Sequence, residues 1–223
     1  MKIKCAGTAI EKYEEPNRMT MECLTIADFR ESLCGPSPEY VAKMCHPVPD
    51  APVVNREDFI LARCQGKVVL DIGASGPMHE GIVEVSKRCY GIDRPVRSDV
   101  LLGHDTFGID LDDRDCDLPI LRDVELMVCG EVIEHLSNPG WFLDRLRKAY
   151  PRIPVIVTVP NAFSDIGRAA LLKGPENCNG DHIAWHSHRT IKTLLSRHGY
   201  EIREFLWYRG RPKFSEGLIV VTE

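Results

Sequence analysis

The sequence predicts an α/β protein in which helices cover both faces of a seven-stranded, mostly parallel sheet. From Gly66 onward, short apolar runs of strand length alternate with segments that have the apolar spacing of helices. This alternation is typical of successive βαβ units. Two strand-like segments, residues 201–208 and 217–222, end the sequence with only a short turn region between them. The sheet is therefore expected to finish in an antiparallel hairpin.

The individual elements follow from local signals. Asn55 is a suitable N-cap for a helix that runs to Arg63, because Glu57 and Asp58 then lie in the first turn and favour the helix dipole. Gly199 is placed to end the last helix. The other expected helices cover residues 79–88, 139–150 and 190–198, and the expected strands cover residues 67–71, 89–93, 106–110, 125–129, 153–159, 201–208 and 217–222.

Residues 1–54 are predicted to form a helical extension that precedes a domain of residues 55–223. Helical pieces are expected over residues 19–33 and 38–44, and they precede a proline-rich stretch at residues 46–52. Prolines fix φ and lack an amide donor, so this stretch is expected to be a linker. The extension is expected to cover the active site.

Composition narrows the functional classes. The 223 residues carry a formal net charge of -5 and nine cysteines, none of them in a C-x-x-C pair. Such a charge does not favour nucleic acid as a partner, although it does not exclude it. No apolar run is long enough to cross a bilayer and no secretory signal is recognisable, so a cytoplasmic protein with reduced thiols is expected. The oligomeric state cannot be read from these features.

Small and acidic residues follow the first two strands of the predicted sheet. Asp71, Gly73 and Gly76 lie in the first strand-to-helix turn, where small residues let the backbone approach a ligand. Asp93 ends the second strand, about 20 residues farther on, where a carboxylate can bind both hydroxyls of a ribose. Two glycines alone also suit an ordinary tight turn. A dinucleotide-binding dehydrogenase is less well supported, since the third glycine of that fingerprint is missing.

The sequence resembles class I S-adenosylmethionine-dependent methyltransferases in three features. These are the residues just named, the segment Cys129-Gly-Glu-Val-Ile-Glu-His-Leu136 and the closing hairpin. The resemblance covers about residues 59–223 and implies a Rossmann-like sheet with S-adenosyl-L-methionine as cofactor. It implies that the loop from Asp71 to Gly76 receives the methionine portion and that Asp93 binds the ribose. Asp110 or Asp112 would lie near the adenine amine, and Glu131 is also expected to contact the cofactor. Ser75 and Pro77 stand where the family usually has glycine, which affects the path of the loop.

The residues after the fourth strand are candidates for acceptor chemistry. Glu131, Glu134 and His135 have the spacing i, i+3, i+4, which places them on one face if the segment is helical. Such a face can bind a cation, or the carboxylates can simply favour a helix start while His135 packs locally. His135 and His182 are predicted to be catalytic, because removal of a hydroxyl proton calls for a base near neutral pKa.

A second group follows the fifth strand. Asn161 ends that strand, and Trp185 and His186 lie in a histidine-rich segment farther on. These three are predicted to bind the acceptor, with Trp185 as a stacking wall, although ordinary solvated loop side chains are the alternative. A metal-free site is preferred.

The acceptor segments resemble two subgroups of methyltransferases. One comprises bacterial enzymes of glycan and lipopolysaccharide pathways. The other comprises small-RNA 3′-terminal 2′-O-methyltransferases, which implies a magnesium ion held by Glu131, Glu134, His135 and His182. Residues 93–125 contain ten acidic and four basic side chains, which disfavours RNA, whereas residues 189–213 contain seven basic and two acidic ones. O-methylation of a small molecule or glycan is the favoured interpretation, with the RNA enzyme and a non-catalytic cofactor-binding or interaction module as alternatives.

Overall fold

The computed structural model describes residues 47–94, 105–115 and 117–223. The strands and helices of these residues all lie in the unit that runs from Val48 to Glu223. The helical pieces expected over residues 19–33 and 38–44 lie outside the described residues, as does the proposed cover over the active site. The division of the chain into an extension and a domain near residue 54 stays a prediction.

The described part of the chain contains eight strands and five α-helices. The strands are β1 (Val53–Val54), β2 (Val68–Ile72), β3 (Arg88–Asp93), β4 (Thr106–Gly108), β5 (Leu126–Gly130), β6 (Val155–Pro160), β7 (Ile202–Tyr208) and β8 (Gly217–Thr222). The helices are α1 (Arg56–Cys64), α2 (Gly76–Val85), α3 (Pro139–Ala149), α4 (Asp165–Leu172) and α5 (His188–Arg197), with a 3₁₀ turn at Ile133–His135. None of the described helices is long and apolar enough to cross a membrane.

The strands form one mixed sheet in the order β1-β7-β8-β6-β5-β2-β3-β4. Strands β2 to β6 pair in parallel, while β8 runs antiparallel between β6 and β7. The expected parallel sheet with a terminal antiparallel hairpin is therefore confirmed. Its count of seven strands was one too low, because Val53 and Val54 add a short edge strand beside β7. These two β-branched residues directly follow Pro52, whose carbonyl accepts a hydrogen bond from the Trp207 amide at 2.9 Å.

Helices cover both faces of the sheet, as expected. On one face, α3 and α5 bury Phe142, Leu146, Ile191 and Leu195 in the larger core cluster. On the other face, α1 and α2 bury Ile60 and Ile82 in a second cluster, together with residues of β2, β5, β6, β7 and β8. Alternate residues of each central strand point to opposite clusters, so the sheet is buried on both sides.

Two helices begin earlier than expected, α2 also ends three residues early at Val85, and one helix was not predicted. α2 begins at Gly76, three residues early, because Pro77 suits the first turn of a helix. α5 begins at His188, two residues early, since Ser187 and Thr190 form a capping box. α4 was not predicted at all, and it begins where the Ser164 hydroxyl accepts a hydrogen bond from the Gly167 amide.

Candidate active site

A cleft of about 270 Å³ lies beyond the carboxyl ends of β2, β3 and β5. This is the edge where ligands bind in open α/β sheets. Five of the seven residues predicted to bind the cofactor line the cleft: Asp71, Gly73, Asp93, Asp110 and Glu131. The predicted catalytic residue His135 also borders it. Gly76 and Asp112 are not part of its wall.

The loop after β2 turns sharply back along β3. The amides of Gly73 and Ala74 both donate to the Ile92 carbonyl, at 2.8 and 3.0 Å. Gly73 has φ +81°, and a Cβ there would lie 2.5 Å from the Val132 Cγ2. Only glycine fits this position without displacing the cleft wall. Gly76 has φ +65° at the start of α2, so the structure gives it a conformational role in the turn and not a place in the cleft.

Asp71 and His79 form a buried pair behind this loop. The His79 Nδ1 lies 2.8 Å from the Asp71 Oδ2. Burial raises the pKa of the Asp71 carboxyl, and the hydrogen bond and charge of His79 act in the opposite direction. The sequence did not single out His79, because its spacing from Asp71 gives no local signal of contact.

Asp93 presents a carboxylate with one unused oxygen at the end of β3. Its Oδ1 accepts a hydrogen bond from the Arg94 amide at 2.7 Å. Its Oδ2 is buried and has no hydrogen-bond partner among the described residues. A buried acceptor of this kind is costly unless a ligand binds it. The residues present therefore fit a ligand that brings hydroxyl donors, as the ribose of S-adenosylmethionine does.

The two acidic candidates on the adenine side have different surroundings. Asp110 lines the cleft, and its Oδ1 accepts a hydrogen bond from the Asp112 amide at 3.0 Å. Asp112 points away toward Ser137, whose amide and hydroxyl donate to its two oxygens at 2.9 and 3.1 Å. These contacts make Asp110 the better placed of the two candidates, and a cofactor contact by either residue stays a prediction.

The segment after β5 is not a regular helix. Glu131, Glu134 and His135 therefore do not share one helical face, although their spacing had predicted it. Glu131 has φ +55°, and only Ile133–His135 form a short 3₁₀ turn. Glu131 therefore points apart from Glu134. Its Oε1 accepts hydrogen bonds from the Thr158 hydroxyl at 2.8 Å and the Tyr208 hydroxyl at 2.9 Å, and the Arg56 guanidinium lies 3.7 Å away.

Glu134 is fully buried, and neither of its carboxylate oxygens has a hydrogen-bond partner among the described residues. Burial, and then the nearby charge of Glu131, raises the pKa of Glu134 to about 8. The His182 Nε2 lies 4.0 Å from the Glu134 Oε1. The His135 and His182 rings meet edge to face, with centroids 4.6 Å apart. Burial, and then His135, lowers the pKa of His182.

Ligand atoms of Glu134, His135 and His182 lie within 4.8 Å of one another. Two imidazoles and a carboxylate are a donor set that divalent cations accept. The structure thus brings together three of the four residues that the RNA-methyltransferase resemblance implied. Glu131 is outside this group, since its Oε1 is held by Thr158 and Tyr208.

A second cavity of about 570 Å³ adjoins the cleft. Arg56 and Glu131 line both spaces, so the two cavities share a wall. His182, predicted to be catalytic, and Trp185, predicted to bind the acceptor, both line the second cavity, and their roles stay predictions.

The other two predicted acceptor residues, Asn161 and His186, make contacts within the protein, and their roles at the acceptor stay predictions. Asn161 reaches the second cavity, but its amide donates to the carbonyls of Lys213 and Ser215, and its Oδ1 accepts from the Phe163 amide. His186 is buried outside both cavities, in an isolated bridge with Asn161. The histidine-rich segment is not helical, so His182 and His186 do not form a pair.

Two residues that contact Glu131 were missed from the sequence. Arg56 opens α1, and Tyr208 ends β7. Tyr208 reaches Glu131 because Gly217, opposite it on β8, leaves room for the ring. The sequence predicted that β7 pairs with β8. That pairing does not indicate that Tyr208 contacts Glu131, which follows β5.

A family described as a methyltransferase domain matches residues 52–204 of this chain. No curated protein matches the sequence. Among solved structures, the small RNA methyltransferase HEN1 is similar with a TM-score of 0.60 and 18% identity, over 80% of this chain and 26% of HEN1. This chain thus spans about a quarter of the length of HEN1.

Two further structures are similar at about the same level. An S-adenosylmethionine-dependent methyltransferase from Mesorhizobium loti has a TM-score of 0.53 and 13% identity, over 74% of this chain and 96% of that protein. The magnesium protoporphyrin IX methyltransferase of Synechocystis PCC 6803, with bound S-adenosylhomocysteine, has a TM-score of 0.50 and 17% identity, over 74% of this chain and 80% of that protein. At these identities the likeness concerns the fold.

Proposed function

The chain belongs to the methyltransferase-domain family and is an S-adenosylmethionine-dependent enzyme, and we propose that it methylates a hydroxyl group of a small molecule or glycan. The cofactor supplies a methyl group on a positively charged sulfur atom. The observation that carries the proposal is the shared wall between the cleft and the second cavity, with His135 and His182 beside it. Transfer between adjoining sites needs mainly correct positioning of the acceptor oxygen.

In this proposal the cleft holds the cofactor. Asp93 accepts hydrogen bonds from the ribose hydroxyls, Asp71 binds the amine of the methionine portion, and Asp110 lies on the adenine side. These roles agree with the position of all three carboxylates in the cleft wall. Gly73 keeps the wall open near Val132.

The second cavity would hold the acceptor. Its wall combines an aromatic ring, Trp185, with amide and imidazole groups of Asn177, Asn179 and His182. Such a mixture suits a polyhydroxylated ligand, whose ring faces stack while its hydroxyls form hydrogen bonds. His182 has a lowered pKa and is neutral at pH 7, so a ring nitrogen can take the hydroxyl proton as the oxygen attacks.

The basic residues near this cavity are paired with acidic ones, which favours a small acceptor over RNA. Arg209 lies 3.5 Å from Glu57 and 3.8 Å from Glu216, and Arg211 lies 2.6 Å from Asp165. These pairs neutralise much of the positive charge that a phosphate backbone would need. An uncharged polar acceptor has no such requirement.

Replacement of His182 by asparagine tests the role of this side chain. The acceptor is first identified by incubating the enzyme with methyl-labelled cofactor and fractionated extract. On that acceptor, His182→Asn should lower turnover by about 10²–10⁴-fold, while affinity for S-adenosylhomocysteine stays unchanged because His182 does not line the cleft. His198→Asn is the matched control, since His198 contacts Asp144 and borders neither cavity. Equal turnover of the two variants would refute His182 as the base.

A second candidate is 2′-O-methylation of the 3′ end of a small RNA. The specific observation in its favour is the convergence of Glu134, His135 and His182, together with two unpartnered oxygens on a buried carboxylate among the described residues. The similarity to HEN1, a small RNA methyltransferase, agrees with it. In this case the three side chains would hold a divalent cation, which lowers the pKa of a bound hydroxyl.

Chelation separates the two candidates. If a cation is required, a chelator should abolish turnover and magnesium or manganese should restore it. The cation should also raise the melting temperature of the wild type and not that of Glu134→Gln. If His182 acts alone, chelation should leave turnover unchanged, and the label should enter small molecules or glycans and not RNA.

A further inference from the structure

We propose that His79 is a positioning residue for cofactor binding, which holds one oxygen of the Asp71 carboxylate so that the other is directed toward the ammonium group of the cofactor. The inference rests on the cofactor assignment and not on the identity of the acceptor. His79 itself does not line the cleft, so it acts through Asp71.

The geometry connects the two residues directly. Asp71 lies in β2 and is 4% exposed, and His79 lies in the first turn of α2 and is 7% exposed. The His79 Nδ1 is 2.8 Å from the Asp71 Oδ2, which fixes one carboxylate oxygen. The other oxygen has no protein partner among the described residues, and Asp71 borders the cleft. One oxygen is thus fixed by the protein and the other is left for a ligand.

The early start of α2 makes this contact possible. Pro77 lies in the first turn of α2, directly after the loop, so that the same turn brings His79 over the end of β2. A helix that began at residue 79, as the sequence had predicted, would place this side chain differently. The loop that contains Ser75 thus leads, through Pro77, directly into the helical turn that carries the partner of Asp71.

The charges around Asp71 explain why such a partner is needed. Burial raises the pKa of Asp71, and Asp93 raises it further, whereas His79 lowers it. The pKa values of the Cys64 and Cys89 thiols are raised to about 12, so both are neutral at pH 7. The titratable groups near Asp71 on its face of the sheet are His79 from α2, Cys64 from α1, and Cys89 and Asp93 from β3. Cys129 of β5 lies in the core cluster on the opposite face. Among these described groups, His79 is the one that favours the carboxylate form.

Calorimetry with two ligands tests the inference. S-adenosylhomocysteine carries the amino-acid portion, while 5′-methylthioadenosine keeps the adenine and ribose and lacks it. His79→Leu should weaken binding of S-adenosylhomocysteine about tenfold to a hundredfold, the range expected for a lost charge-assisted hydrogen bond. Binding of 5′-methylthioadenosine should change less than about twofold. His79→Asn, which keeps a donor toward Asp71, should restore most of the affinity for S-adenosylhomocysteine.

The pH dependence adds a measurement that a purely structural role would not move. Without His79 the Asp71 carboxyl protonates at higher pH, because its burial is then uncompensated. As the pH is lowered, affinity for S-adenosylhomocysteine should therefore fall earlier in His79→Leu than in the wild type. Affinity for 5′-methylthioadenosine should not follow this difference.

Two results would overturn the inference. Equal losses for both ligands in His79→Leu would mean that His79 only supports the loop, and unchanged affinity for both would mean that it has no role in binding. If His79→Leu does not fold, Asp71→Asn decides, because it keeps the side-chain shape and removes the charge. That variant should lose affinity for S-adenosylhomocysteine alone. Failure of the wild type to bind either ligand would instead contradict the cofactor assignment.

Discussion

Replacement of Asp93 by alanine should weaken cofactor binding strongly and leave the fold intact. In the structure the Asp93 Oδ1 accepts the Arg94 amide at 2.7 Å, while the buried Oδ2 has no partner among the described residues. A ligand hydroxyl that reaches Oδ2 removes the cost of an unsatisfied buried acceptor. The side chain therefore contributes more to the complex than to the free protein.

The size of the effect follows from the hydrogen bonds that are lost. Two charge-assisted bonds from ribose hydroxyls contribute about 2–4 kcal/mol together. This corresponds to a roughly 30- to 800-fold rise in the dissociation constant. Asp93→Asn should lose about half of that free energy, since it keeps an acceptor oxygen and removes the charge.

Calorimetry with S-adenosylhomocysteine measures the loss, and 5′-methylthioadenosine should lose the same factor because it shares the ribose. Glu84→Gln, on the exposed side of α2, is the control for removal of a carboxylate elsewhere. The melting temperature of free Asp93→Asn should change little, because the asparagine oxygen can still accept the hydrogen bond from the Arg94 amide. Equal affinities of wild type and Asp93→Ala would refute the ribose assignment.

Two further predictions concern stability. Gly73→Ala should destabilise the protein in denaturant unfolding by about 1–2 kcal/mol more than Gly66→Ala, because both glycines have positive φ but only at Gly73 would the new Cβ meet the Val132 side chain; equal losses would contradict the close contact. Burial lowers the pKa of His186 below its usual value near 6.5, so the unfolded state binds more protons as the pH falls through that value. The free energy of unfolding should then drop on acidification below about pH 6.5, less steeply in His186→Phe, and identical pH profiles would refute the assignment.

The sheet was predictable because its signals are local. The strands Val68–Ile72 and Val155–Pro160 are mostly apolar, and every residue in them except Pro160 is buried. Such runs can be recognised in the sequence without knowing which strands pair with them. The carboxyl ends of the parallel strands β2 and β3 lie at one edge of the sheet, which places Asp71 and Asp93 in the wall of the same cleft. Topology predicted where these carboxylates lie, while their roles in cofactor binding come from the family resemblance and stay predictions.

Spacing was a poor guide where the backbone left regular geometry. The pattern at residues 131–135 predicted one shared helical face, but the positive φ of Glu131 sends its side chain to Tyr208 while Glu134 is buried beside His182. Asp112 was indistinguishable from Asp110 by sequence, because the choice depends on which of them Ser137 reaches. Both outcomes depend on tertiary contacts, which a linear pattern does not contain.

Glu131 is held by several elements of the fold, and this fixes how the two cavities lie relative to each other. Its Oε1 receives donors from β6 through Thr158 and from β7 through Tyr208, and Arg56 of α1 lies nearby. Three elements therefore converge on one carboxylate that belongs to both cavity walls. A side chain tied in this way is better suited to fixing the distance between two bound ligands than to moving a proton, since its acceptor oxygen is already shared. In the proposed reaction the acid–base role therefore belongs to His182, and Glu131 is proposed to fix where the acceptor lies relative to the cofactor.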